Sequence, residues 1–427
     1  MEGESLLKEI TQHLGEGIDL IRITEPKFKT NSLMVMFLVP IVPEKNASYA
    51  LAQYMLTQSC RKYPDNAAMT VKLDDMYGAS LNSSVSVNGA VMQISVSGSV
   101  IANRYALHGE DLLSDLMQLI LDCIFDPNAR DGAFDAGEFR IQRKELLDAI
   151  QAEINNKRGY SMMRAREIAF RGEPDAYRIY GTREDAEALT PESVFAAYQE
   201  LLRRAVIRIY YVGPEEASGL ADQIADAFSQ LTDRAPEALP FEAPSPIKSA
   251  PERVDEPMDV TQSKLVVVFK GKDLPNEAFR LFSAMYGGTP FSMLFSNVRE
   301  KMSLCYFCAS RVVAGKQTLI VDSGVELANA EKTHEAILAQ LDAMRRGEFS
   351  DDLLENAKHS MVGALRSIGD TPLSCISEAY SRFYTGDPAD VEERVARYKA
   401  LTREDIIRVA QALTEDTVYL MQQGGTK

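Results

Sequence analysis

The strongest constraint on this chain is that it repeats itself. "ALTPESVFAAYQELL" from Ala188 has a counterpart in "ALTREDIIRVAQALT" from Ala400, 212 residues later. Each offers a threonine as helix N-cap, an acidic residue in the first turn and an apolar stripe behind it. Each is followed by a β-rich run, "AVIRIYYVG" in one place and "TVYLMQQG" in the other. Upstream, "TNSLMVMF" from Thr30 answers "TQSKLVVVF" from Thr261. Gly89 and Gly98 match Gly315 and Gly324 at an offset of 226, in segments that read as hairpins with glycines in the turns. A duplicated unit of strand, helix, hairpin, long helices, helix and last strand keeps strands and helices segregated, which is the α+β class.

A proline-rich acidic stretch separates the copies. Residues 234–258 hold six prolines, which forbid a continued helix and are rare inside a sheet. The expected division is an N-terminal half over 1–233, a linker over 234–258 and a C-terminal half over 259–427. Two such halves on a linker suggest a clamshell with an internal cavity.

A net charge of −16 argues against nucleic acid, whose phosphates demand a basic footprint. No apolar run approaches the ~20 residues of a membrane span, and the N-terminal "MEGESLLKEITQHL" is acidic where a signal peptide needs basic residues. A cytoplasmic protein is expected. Of five cysteines, Cys305 and Cys308 form a C-x-x-C in "CYFC", inside a β-like run without the turn of a redox or zinc site. With no second such pair, four-thiolate zinc is excluded within one chain. The cysteines read as strand residues.

Residues 47–62, "ASYALAQYMLTQSCRK", read as a helix on which Ala50, Gln53 and Tyr54 share a face. That spacing is the one metallopeptidases use to present two ligands and a general base. Here it offers a methyl group, an amide and a phenol. The chain resembles the pitrilysin and mitochondrial-processing-peptidase family, inverzincins with the signature H-x-x-E-H. Aligning "RKYP" at 61–64 places that signature on Ala50, Gln53 and Tyr54. Counting back from "IYGT" at 179–182 places the family's two later glutamates at Gln142 and Ala149, with Glu153 one turn beyond. The resemblance implies a member without its zinc site. The chemistry agrees independently: catalytic zinc takes three protein ligands, and no two of His13, His108, His334 and His359 lie within four residues. His334 and His359 are expected on polar, solvent-facing helix surfaces. Glutamine at 53 cannot accept a proton. No cofactor or metal is expected.

The C-terminal half departs less from the family. "MYGGTPFSMLFSNVREKMSLCYFCAS", residues 285–310, resembles its glycine-rich turn, S-x-L-F helix and tyrosine-bearing strand. The resemblance makes Arg299 and Tyr306 the groups that hydrogen-bond substrate, and fixed donors of this kind stabilise an oxyanion. From the residues alone, the pair reads rather as a solvated helix end and a strand tyrosine, since the spacing is common; the whole stretch shifts the reading toward a substrate role. The resemblance implies a non-catalytic subunit of a two-chain zinc peptidase. It would bind peptide beside a homologous H-x-x-E-H subunit as a heterodimer; a bacterial branch of this type is associated with elongation factor P modification. The alternative is a structural or peptide-binding scaffold, self-associating as a homodimer.

Overall fold

In the computed structural model, residues 8–217, 219–241 and 243–424 are described. The first seven residues of the acidic N-terminal stretch lie outside them. The packing divides into two compact units. Unit one gathers the chain up to Gln151, Arg178–Phe241 and Ile368–Asp387; unit two gathers Ala152–Tyr177, 243 to Ser367, and Pro388 onward.

Unit one is built on strands β1 (Lys8–Gly15), β2 (Ile18–Thr24), β3 (Thr30–Pro40), β4 (Ser80–Asn88), β5 (Val91–Ile101) and β6 (Val206–Gly213), in spatial order β1-β2-β6-β3-β5-β4. Unit two is built on β7 (Glu252–Met258), β8 (Ser263–Lys270), β9 (Cys305–Val313), β10 (Thr318–Val325) and β11 (Thr414–Gln423), in the order β9-β10-β8-β11-β7. Set side by side, β2-β6-β3-β5-β4 and β7-β11-β8-β10-β9 are one topology. In both, the first pair is parallel and the rest antiparallel. The α+β repeat read from the sequence is therefore present strand for strand, with β1 added at one edge of unit one.

Local signals set the matching helices. Helix α5 (Pro191–Arg204) is capped by Thr190 and helix α8 (Arg403–Ala412) by Thr402, each closing a reciprocal capping box with the residue three further on. Helices α1 (Pro43–Met55), α2 (Leu112–Phe125), α3 (Ala136–Ala152), α4 (Lys157–Ala169), α6 (Asn276–Ser283) and α7 (Pro372–Thr385) complete the set used below.

The apolar runs on β3 and β8 are continuous rather than alternating because both faces of each sheet are covered. On β3, Leu33, Val35, Phe37 and Val39 enter a core with α1 and α2, whereas Met36 and Leu38 face Cys375, Ile376, Ala379 and Tyr380 of α7. On β8, Val266 and Val268 pack against Met162, Ala165, Ile168 and Phe170 in and after α4. The second face of each sheet is thus covered by a segment from the other half of the linear sequence. Residues 152–177 serve unit two, and 368–387 serve unit one.

The linear division at 233 and 258 consequently does not mark where the packing divides. Nor is the proline-rich stretch a free tether. The Arg234 guanidinium donates to the Ala205 carbonyl at 2.6 Å and the Glu16 carbonyl at 2.8 Å. Leu239 and Phe241 pack in unit one. Residues 252–258 form β7, an edge strand that tolerates Pro257.

The four paired glycines do not all supply turn conformations. Gly89 does supply a turn, at φ +59°. In the second hairpin the left-handed residue is Gln317, and Gly315 lies in a short 3₁₀ turn. Gly98 and Gly324 lie inside strands, where what matters is space. A Cβ at 98 would stand 2.8 Å from Leu116 on α2, and one at 324 would stand 2.5 Å from the Phe307 ring.

Candidate functional site

Helix α1 runs from Pro43 to Met55, four residues earlier at its start than the sequence suggested, and it stops well before residue 62. Proline at the first helical position fixes the start, since its missing N–H is an orphan there anyway. The stop comes from a competing turn in which Cys60 and Tyr63 exchange backbone hydrogen bonds of 2.9 and 3.0 Å.

Ala50 and Gln53 are buried and Tyr54 is half-buried on that helix. The Gln53 amide donates to the Ser83 hydroxyl on β4, and the Thr57 hydroxyl lies 2.9 Å from the same oxygen. The Tyr54 hydroxyl shares a hydrogen bond with Tyr180; burial first, then Tyr180 and the nearby Glu145 charge, pushes its pKa above the ordinary phenol value. Tyr180 belongs to the "IYGT" run, which is drawn onto the helix by Asn46 donating to the Arg178 carbonyl at 2.9 Å. Gly181, at φ +70°, leaves no room for a side chain, since a Cβ there would meet Ala47 at 2.8 Å. On α3, Gln142 is buried and donates to Glu138 at 2.8 Å, and Ala149 is half-buried. Glu153 falls in unit two.

A catalytic zinc ion does not fit this set. It needs three imidazole, thiolate or carboxylate donors and an open position. The face supplies a methyl group, an amide engaged with Ser83 and a phenol engaged with Tyr180. Among the described residues, no three His, Cys, Asp or Glu side chains stand together as a metal-binding group. His334 is not solvent-facing as expected; its imidazole Nε2 pairs with Glu415 and the side chain is 16% exposed. His359 is exposed, with Nδ1 2.8 Å from the Glu355 carbonyl oxygen.

In unit two, α6 passes into two π-helical stretches, Ala284–Gly288 and Leu294–Lys301. Gly287 permits the approach of β9, since a Cβ there would stand 2.7 Å from the Ser310 nitrogen. Arg299 lies in the last π turn, its guanidinium 4.5 Å from the Phe295 ring centroid and 3.5 Å from the Glu300 carboxylate. Ser303, at φ +52°, turns the chain onto β9, the edge strand of this sheet.

There the ladder slips: Cys305 is opposite Val325 and Phe307 opposite Gly324, so Tyr306 is the extra residue of a β-bulge. Bulges of this kind re-aim side chains and are over-represented at edges and beside sites. Tyr306 is 56% exposed, and its hydroxyl donates to Glu326, which raises the pKa of the phenol. Both groups singled out in this half therefore lie at the accessible entry to an edge strand. Sequence reasoning did not find Ser83, Thr57, Tyr180 or Glu326, whose roles come from tertiary neighbours. The quoted "IYGT" contained Tyr180 without revealing its partner.

Comparison with known proteins places this geometry. Residues 188–361 match the family described as Peptidase M16 inactive domain. The chain is 27% identical to the "Probable inactive metalloprotease YmfF" of Bacillus subtilis, over 93% of each chain. A conserved protein from Enterococcus faecalis has the same fold, with a TM-score of 0.90, 24% identity and coverage of 98% of this chain and 99% of that one. The M16 inactive-domain structure from Pseudomonas fluorescens follows at a TM-score of 0.79, 16% identity and 99% of each chain. The chain is thus similar to M16 peptidase-like proteins, through a family model over residues 188–361 and through a relative named as an inactive metalloprotease over 93% of its length.

Proposed function

We propose that this chain is the non-catalytic subunit of a two-chain zinc peptidase. It holds the peptide substrate and presents Arg299 and Tyr306 to the scissile carbonyl, opposite the H-x-x-E-H centre of a homologous partner. The observation that carries this reading is an asymmetry. The metal positions have become a closed set of hydrogen bonds around Gln53 and Tyr54, whereas Arg299 and Tyr306 remain accessible donors at an edge strand. The inactivity attributed to the Bacillus subtilis relative supports the first half. A cytoplasmic location, the heterodimer and a link to elongation factor P modification belong to the same proposal.

A second reading, a scaffold without substrate chemistry, draws support from the Tyr306–Glu326 hydrogen bond and the Arg299–Glu300 pair, which already occupy both groups. Kinetics on the chain reconstituted with its copurified partner separates the two. Arg299→Ala and Tyr306→Phe should each lower turnover about a hundredfold, roughly 3 kcal/mol, as loss of one oxyanion donor does, without dissociating the pair. Full turnover in both variants means a scaffold. Gln53→Ala should leave turnover near the parent value.

A further inference from the structure

The "CYFC" pair lies on a strand as its sequence suggests, yet its side chains meet. Residues three apart on a regular strand face opposite sides. The extra residue of the bulge between Cys305 and Phe307 restores Cys308 to the side of Cys305, where each thiol is near enough to shift the titration of the other. Ser323, whose hydroxyl donates to the Phe307 carbonyl at 2.8 Å, is within hydrogen-bonding reach of the Cys305 sulfur, and the Arg299 cation acts on it as well. Against the opposing effect of burial, these neighbours bring the Cys305 thiol down to about 7, while Cys308 is pushed up. Cys305 is half-buried, whereas Cys60, Cys123, Cys308 and Cys375 are buried. Low-pKa, partly exposed thiols beside a cation are the reactive kind.

We propose that Cys305 is a modification site, a thiolate that reacts with hydrogen peroxide and small soft electrophiles, and that its modification disables the adjoining Arg299 and Tyr306. The second clause rests on the reading of that pair as substrate donors. In the oxidation, the thiolate lone pair attacks one peroxide oxygen and forms the S–O bond. The O–O bond breaks, and hydroxide leaves and takes a proton from solvent to become water. The sulfur, oxidised by two electrons, becomes a sulfenic acid, and the peroxide is reduced.

An internal control is built in. Cys60 is also lowered to about 7, chiefly by the Cys123 thiol, but it is fully buried in unit one. The test is limiting iodoacetamide, or peroxide followed by dimedone, on the folded full chain at pH 7, read by peptide mass mapping. Cys305 should be labelled at least about tenfold faster than the other four, and Cys308→Ala should slow it by about the same factor. First labelling of Cys60, or equal rates at all five thiols, overturns the site. On the reconstituted pair, alkylation should abolish turnover of the parent chain and leave that of Cys305→Ser unchanged. Selective labelling with turnover intact in both overturns the regulatory clause. If Arg299→Ala and Tyr306→Phe are themselves fully active, the substrate reading fails instead, while the labelling result stands.

Discussion

The two units complete their sheets with exchanged segments that are held by different physics. In unit one, residues 368–387 dock through aromatic rings. Tyr380, Phe383 and Tyr384 surround Phe241 at centroid distances of 5.7 to 6.3 Å, and the Arg208 guanidinium lies 4.0 Å from the Phe383 ring centroid. In unit two, residues 152–177 add to their apolar packing on β8 a set of charges buried around one ring. Asp175, with a fully buried side chain, lies 2.8 Å from the Lys316 ammonium and 3.6 Å from Arg166. Lys270, also buried, reaches the Ala169 carbonyl at 2.6 Å and Asp416 at 3.4 Å. Phe170 lies within 5.3 to 5.8 Å of Lys270, Arg166 and Lys316. The same architectural task, covering the second face of a sheet, is met by clustered rings in one unit and by apolar packing with added ionic contacts in the other. The ionic contacts are the more brittle, because each charge depends on its partner.

The largest expected effect tests that brittleness. Lys316→Met leaves Asp175 short of its main partner and should cost about 3–5 kcal/mol, and adding Asp175→Leu should recover much of the loss. Urea unfolding of the single and double variants checks this, and no recovery would mean that the charges are not coupled. Tyr380→Ala should cost about 3 kcal/mol through the cavity it opens, with no second substitution that rescues it. A rescue by a polar change nearby would blur the contrast.

Next come the matched caps. Thr190→Ala and Thr402→Ala should each cost about 1 kcal/mol, and equally, if the repeat is energetic as well as topological. Thermal denaturation of the two variants measures the difference.

The smallest effect is acid sensitivity. Glu252 on β7 has its pKa held below the usual carboxylate value, first by its hydrogen bond to Lys248 and then by the one to Arg171, which follows α4. A depressed folded pKa contributes stability that is complete above the ordinary value of 4.5 and is lost as pH falls through the folded one. Hydrogen exchange in 157–171 should therefore quicken on acidification below pH 4.5 before exchange in 372–385 does. Simultaneous loosening would remove the distinction.

Much of this fold was written locally. Thr190 and Thr402 announce their helices, and the uninterrupted apolar residues of β3 and β8 announce strands covered on both sides. What those runs cannot state is which helix covers them. Hydrophobic periodicity reports that a face is buried, not against what, so the exchange of 152–177 and 368–387 stayed hidden. The site was legible in the same partial way. Ala50, Gln53 and Tyr54 declared by their chemistry that zinc has no ligands there. Their engagement with Ser83 and Tyr180, and the bulge that joins Cys305 to Cys308, depend on register and tertiary approach, which spacing along the chain does not encode.

The exchanged segments also impose an order on synthesis. A ribosome that has finished residues 1–241 has made every strand of the first sheet but not the helix that seals its second face, which arrives only with Cys375 to Tyr384. Until then Met36, Leu38 and Tyr210 form an open apolar wall on the nascent chain, surface that invites aggregation unless it is shielded. The stretch 152–177, made early, waits in the same way for β8 and β11 to be built. Unit one is complete only with Asp387 and unit two only with β11, so both units mature late in synthesis.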